Sequence, residues 1–272
     1  MTGVGGIGNQ GAFWPFGQAE VLPKSMSGPI EKPAEPASDD PVAEAAQRWA
    51  EAREGLENAS GSDRHLHVLA ERIARQQFDA AVQATHGPMP ALQLSGTADP
   101  TDVALVVAEL AKMPEAHRQQ LADNGVTVVV CRNSVTEHLT ELQGVQPRGW
   151  PPGSTWDDVP GLYAPDTQSV VIATRGHDTP EGARVPETGN GHGSTNLVLH
   201  ETAHALHAIV GDPQAFLDAR QADLAALSDY ETQPGEAGIQ ETFAESYANV
   251  FGGNPDYATT HPNLYRYWTE NS

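Results

Sequence analysis

The chain has 272 residues and a formal net charge of −21, with a pI of about 4.7. That balance excludes a nucleic-acid binder, which needs a basic face for phosphate, and disfavours an anionic membrane surface. No run of ~18 apolar residues exists to span a membrane, and the single cysteine, Cys131, excludes both an internal disulfide and a thiolate zinc cluster.

Residues 1–40 are rich in Gly, Pro, Ser and Ala and read as a flexible arm. They lack the basic start and apolar core of an ordinary secretory signal. Asp40 followed by Pro41 begins a helix through VAEAAQRWAEAREGLENA, and Asp63 begins a second one that Gly87 ends. HGPMPALQLSGTADP reads as a linker, so residues 41–98 form a helical N-terminal segment and its connection. Beyond it, TDVALVVAELAKM and PEAHRQQLADNG read as a helix pair. VTVVVC is a buried strand with an inert thiol at Cys131, VTEHLTELQG a short helix, and LYAPDTQSVVIATR carries a strand ending near Thr174. The polar, glycine-rich GHDTPEGARVPETGNGHGST leads into the next helix. Few strands and many helices predict an α+β fold over residues 99–272.

The chemistry lies in NLVLHETAHALHAIVG, a helix capped by Ser194 or Thr195 and ended by Gly211 and Pro213. His200 and His204, at i and i+4, share one face and can hold one metal ion. Glu201 lies beside them, where it can take a proton from water activated by zinc. Apolar flanks predict a buried helix, and buried histidines need a partner. His207 lies one turn further and is expected at the rim or facing substrate.

A catalytic zinc usually takes three protein ligands. The extension H-E-x-x-H-x-x-G-x-x-H fails here, because His207 stands at the glycine position and Val210 at the last histidine. GEAGIQETFAESYANVFGG offers a carboxylate instead. Glu241 would bind the metal, and Glu245, one turn on, would accept the spare N–H of a ligand histidine. The competing reading is an exposed acidic face whose like charges repel, although Phe243, Ala244, Ala248, Val250 and Phe251 make the segment apolar.

HETAHALH followed by ETFAESYANVF, with VPGLYAPDTQSVVIATR and GHGSTNLVLHE ahead of it, resembles the catalytic domain of the anthrax lethal factor family of zinc metalloendopeptidases. The likeness covers roughly the last 170 residues. It implies a zincin-like domain, with a small sheet packed on the HExxH helix and a second metal-ligand helix. It also implies His200, His204 and Glu241 as Zn2+ ligands, Glu201 as general base and Glu245 behind the ligands. The family's oxyanion-stabilising tyrosine falls here at Pro234, a departure, and Tyr230 is the substitute expected from the same loop. Tyr247, on the opposite face of the Glu241 helix, is a poor one.

The function implied is a zinc-dependent endopeptidase cleaving protein or peptide substrates. Its context would be a bacterial toxin or effector exported without an ordinary signal peptide and acting inside a target cell. An immunity protein or secretion machinery would be its candidate partners. A binding module keeping a structural zinc fold, or a housekeeping peptidase, is the alternative.

Overall fold

The computed structural model describes residues 40–147 and 152–272. The arm expected over residues 1–40 lies outside them except for Asp40. Asp40 accepts the Val42 N–H at 2.9 Å and opens helix α1 (Pro41–Asn58), which pairs with α2 (Arg64–His86). A strand, β1 (Ala91–Leu94), then lies within the stretch read as linker. Two helices follow, α3 (Pro100–Leu110) and α4 (Glu115–Asp123), and lead to β2 (Thr127–Cys131). Asp99 and Asp102 start α3 with a reciprocal capping box.

VTEHLTELQG forms two 3-10 turns, Val135–Glu137 and Thr140–Leu142, where a helix was expected. Ser134 caps the first turn at Thr136 N, and Glu137 is drawn back to the N–H groups of Arg132 and Asn133. LYAPDTQSVVIATR holds two strands, β3 (Gly161–Ala164) and β4 (Ser169–Ala173), around a 3-10 turn. Pro165 breaks the run, and Gln168, with φ of 50°, reverses it.

The sheet order is β1-β2-β4-β3, with β3 alone antiparallel and at an edge. Residues of β2 and β4 alternate between two apolar layers, which explains their unbroken hydrophobic character. Val128, Val130, Val170 and Ile172 face the main core, whereas Val129, Cys131, Val171 and Ala173 meet Val135, Leu139, Trp156 and Val159. Burial pushes the Cys131 thiol up to about 12, so it is inert at neutral pH.

Five more helices complete the chain: α5 (Leu197–Val210), α6 (Gln214–Ala222), α7 (Glu236–Phe251), α8 (Tyr257–Thr260) and α9 (Pro262–Glu270). The main core joins α5 and α7 to the sheet, and it also contains Trp49 of α1 and Phe78 of α2. No helix among the described residues is long and apolar enough to cross a membrane.

Candidate metal centre

The cap of α5 is Asn196, not Ser194 or Thr195: its side chain accepts the Leu199 N–H at 3.1 Å. Its amide also donates to Glu109 of α3. Ser194 and Thr195 serve the approach instead, with Ser194 Oγ accepting from Asn196 N and Thr195 Oγ1 donating to Asn249 of α7. Gly211, at φ of 69°, ends the helix.

Helices α5 and α7 run antiparallel, so one turn forward along α5 corresponds to one turn back along α7. Thus His200 meets Glu245, with Nδ1 and Oε2 2.8 Å apart, and His204 meets Glu241, with Nε2 and Oε2 3.5 Å apart. The third side is closed by His200 Nε2, 3.4 Å from Glu241 Oε2 and 3.1 Å from His204 Nε2. A point equidistant from these three atoms lies about 1.9 Å from each, near the roughly 2.0–2.1 Å of zinc–ligand bonds. Glu241 Oε2 is buried without a hydrogen-bond partner, and buried charges of this kind are paired or coordinate a metal. His200, His204 and Glu241 form the only metal-competent cluster of His, Cys, Asp and Glu found among the described residues. The donor set fits zinc: two imidazoles and a carboxylate.

Charge in the site is balanced by contact. Burial would lower the His200 imidazole, but the adjoining carboxylates of Glu241 and Glu245 lift it well above its ordinary value. Burial would raise Glu241, yet His204 and His200 pull it far below the usual carboxylate range. Glu201 is buried beside them, and burial, with the Glu241 charge, raises its carboxyl against the pull of both histidines. The backbone of β3 runs beside it, with the Tyr163 amide close enough to lower the carboxyl a little.

That strand must come close. A methyl group on Gly161 would stand 2.6 Å from Leu197 Cδ1 and 3.0 Å from Glu201 Cγ. Neither Gly161 nor Tyr163 stood out in the sequence; the signal available was the glycine opening a short strand before the polar loop.

The Tyr230 hydroxyl is buried next to the Glu241 carboxylate. Burial and the charges of Glu241, Glu201 and Glu245 hold its phenol well above the ordinary value, so it remains a donor. Tyr247 points elsewhere, its hydroxyl 3.0 Å from His117 Nδ1. His207, expected at a rim, is buried: its Nε2 is 2.7 Å from Asp212 Oδ1 and its ring packs on Phe243 at 4.6 Å. The structure therefore brings His200, Glu201, His204, Tyr230, Glu241 and Glu245 together and leaves His207 aside.

Residues 96–269 match the family described as anthrax toxin lethal factor, N- and C-terminal domain, over more than half of the chain. The chain belongs to this family. It is 35% identical over 119 residues to a Pro-Pro endopeptidase of Paenibacillus alvei, and 34% identical over 119 residues to one of Clostridioides difficile. Each match covers 43% of this chain and 49% of the relative, so the chain spans about half the length of these curated relatives. The solved structure of the Pro-Pro endopeptidase from Paenibacillus alvei superposes with a TM-score of 0.51 at 26% identity. That superposition covers 66% of this chain and 96% of the other. The neighbour's fold supports the α+β, zincin-like reading of the mainly helical chain with its small sheet.

Proposed function

We propose that this protein is a zinc-dependent endopeptidase that hydrolyses peptide bonds in proline-containing substrates. The observation that carries the reading is the largely buried triangle of His200 Nε2, His204 Nε2 and Glu241 Oε2, with the Glu201 carboxylate alongside. Zinc held there supplies Lewis-acid activation of water and of the scissile carbonyl.

The protein groups divide the remaining work. Glu201 takes the proton of the attacking water and returns it to the leaving nitrogen. Burial with an upward-shifted carboxyl suits that exchange, and the adjacent β3 backbone bounds the space the carboxylate occupies. Tyr230, kept protonated by its surroundings, donates to the oxygen on which negative charge develops. Glu245 holds His200 by Nδ1, leaving Nε2 for the metal. The outer edge of β3 carries no strand among the described residues, so an extended peptide can add there beside Glu201.

The Pro-Pro bond as cleavage site is taken from the two named relatives. A panel of peptides with and without a Pro-Pro pair, assayed with the native chain and Glu201→Gln, tests it. Cleavage that is indifferent to the pair would remove this specificity, and equal cleavage by both proteins would remove the mechanism. The toxin or effector role, action in a target cell and an immunity or secretion partner rest on the family resemblance and the unusual N-terminal sequence, and secretion without an ordinary signal rests on that N-terminal sequence. Expression inside a recipient cell, with Glu201→Gln as control, decides between that role and housekeeping proteolysis.

A further inference from the structure

Tyr230 sits on a loop whose construction is unusual. Ser228 and Glu231 form a reciprocal box: Glu231 Oε2 accepts from Ser228 N at 3.0 Å and Ser228 Oγ at 2.7 Å, and Glu231 N donates back to Ser228 Oγ at 3.3 Å. Such a box normally starts a helix. Here Pro234 and Gly235, the latter at φ of 80°, halt it after one turn, and Tyr230 is held inside that turn.

The turn is fastened to α7 from outside. Arg220 of α6 donates from Nη2 to the Glu231 carbonyl at 2.7 Å and from Nε to Thr242 Oγ1 at 2.9 Å. Thr242 Oγ1 lies 3.2 Å from the same Glu231 carbonyl, and Thr242 directly follows Glu241. One guanidinium thus spans the residue after Tyr230 and the residue after the carboxylate of the metal site. Gly238 gives an independent sign of the same fit. A methyl group there would stand 2.3 Å from the Gln233 carbonyl and 2.8 Å from that of Glu231, so the loop backbone lies directly on the first turn of α7.

We infer that Arg220 is a positioning residue for Tyr230, clamping the turn Ser228–Gln233 onto α7 so that the phenol is fixed relative to Glu241. The inference rests on the reading of Tyr230 as oxyanion donor. Tyr230 occupies an altered place in the loop, with Pro234 at the family's usual spacing, and the planar fork of Arg220 supplies rigidity that a lysine would not.

The test combines Arg220→Met and Tyr230→Phe in a double-mutant cycle on the intact chain. Turnover is read on the Pro-Pro peptide panel and zinc content on the same samples. Amide hydrogen exchange over residues 228–235 is read on metal-free protein. Arg220→Met is expected to lower kcat about tenfold or more with zinc content unchanged, and the double variant to be no slower than Tyr230→Phe. Exchange over 228–235 is expected to accelerate, and Arg220→Lys to recover only part of the rate. Multiplying rate losses, or unchanged exchange, would overturn the clamp. A native rate for Tyr230→Phe alongside faster exchange in Arg220→Met would instead overturn the donor reading. If Arg220→Met fails to fold, Gly238→Ala displaces the same turn from its other side and is read by the same measurements.

Discussion

Glu245 Oε2 and His200 Nδ1 lie 2.8 Å apart across the α5–α7 interface, which fixes which ring nitrogen of His200 faces the metal-site triangle. Ring orientation of this kind is set by the partner of the other nitrogen. Glu245→Ala should therefore weaken zinc affinity by roughly 10–100-fold while leaving all three ligands in place. Competition with a chelator of known affinity measures it, and an unchanged zinc constant would discard the orienting role.

Glu201 is not one of the three donors of the triangle. Glu201→Gln should retain native zinc content and lose turnover by about 10²–10⁴-fold, the range of a lost general base. Parallel zinc determination and peptide hydrolysis check this. Loss of zinc in the variant would assign Glu201 a structural part in the site.

Both ligand helices belong to the main core, so occupancy of the triangle is linked to folding. Stripping the metal should lower the melting temperature, because zinc at 100 times its Kd adds about 2.7 kcal/mol. Glu241→Ala should behave as the stripped protein does and respond weakly to added zinc. A full thermal response to zinc in Glu241→Ala would place the third ligand elsewhere.

Gly161 leaves no room for a side chain against Leu197 and Glu201. Gly161→Ala should push β3 away from α5 and disturb Glu201 while leaving His200 and His204 in place. Turnover is expected to fall by more than zinc content does. Native kinetics in this variant would show that the strand does not set the position of Glu201.

His117 is not part of the triangle; its Nδ1 is bonded to the Tyr247 hydroxyl and its ring is packed near Phe251 and Trp268. Burial lowers its pKa below the ordinary 6.5. The unfolded chain then binds a proton more readily than the folded one. The stability contributed by neutral His117 is complete above about pH 6.5 and is lost as pH falls below it. Denaturant titrations between pH 7.5 and about 5 should show a shallower decline for His117→Gln than for the native chain, and parallel declines would refute the assignment.

The metal triangle was legible because helix geometry converts spacing into proximity: His200 with His204, and Glu241 with Glu245, each lie one turn apart. The antiparallel register that brings the two pairs together was not legible, since it depends on how α5 and α7 pack on the sheet. Tyr230 was readable only as a nearby tyrosine, because its position follows from the Ser228–Glu231 box and the reach of Arg220. β1 escaped notice because ALQL is short and enclosed by Pro88, Pro90 and Gly96, and its identity as a strand comes from pairing with Thr127–Val130. Asn196 was missed as a cap because Ser194 and Thr195 offer the same chemistry two residues and one residue earlier.

The apolar layer that holds α5 continues without a break into Trp49 and Phe78. β1, just ahead of the family match, covers the outer edge of β2. A fragment confined to residues 96–269 would therefore bare both an apolar scar and an unpaired parallel strand edge. Such surfaces recruit other chains, so this fragment is expected to self-associate where the chain begun at Asp40 stays dispersed. The boundary drawn by kinship and the boundary required for solubility are two different places in the chain.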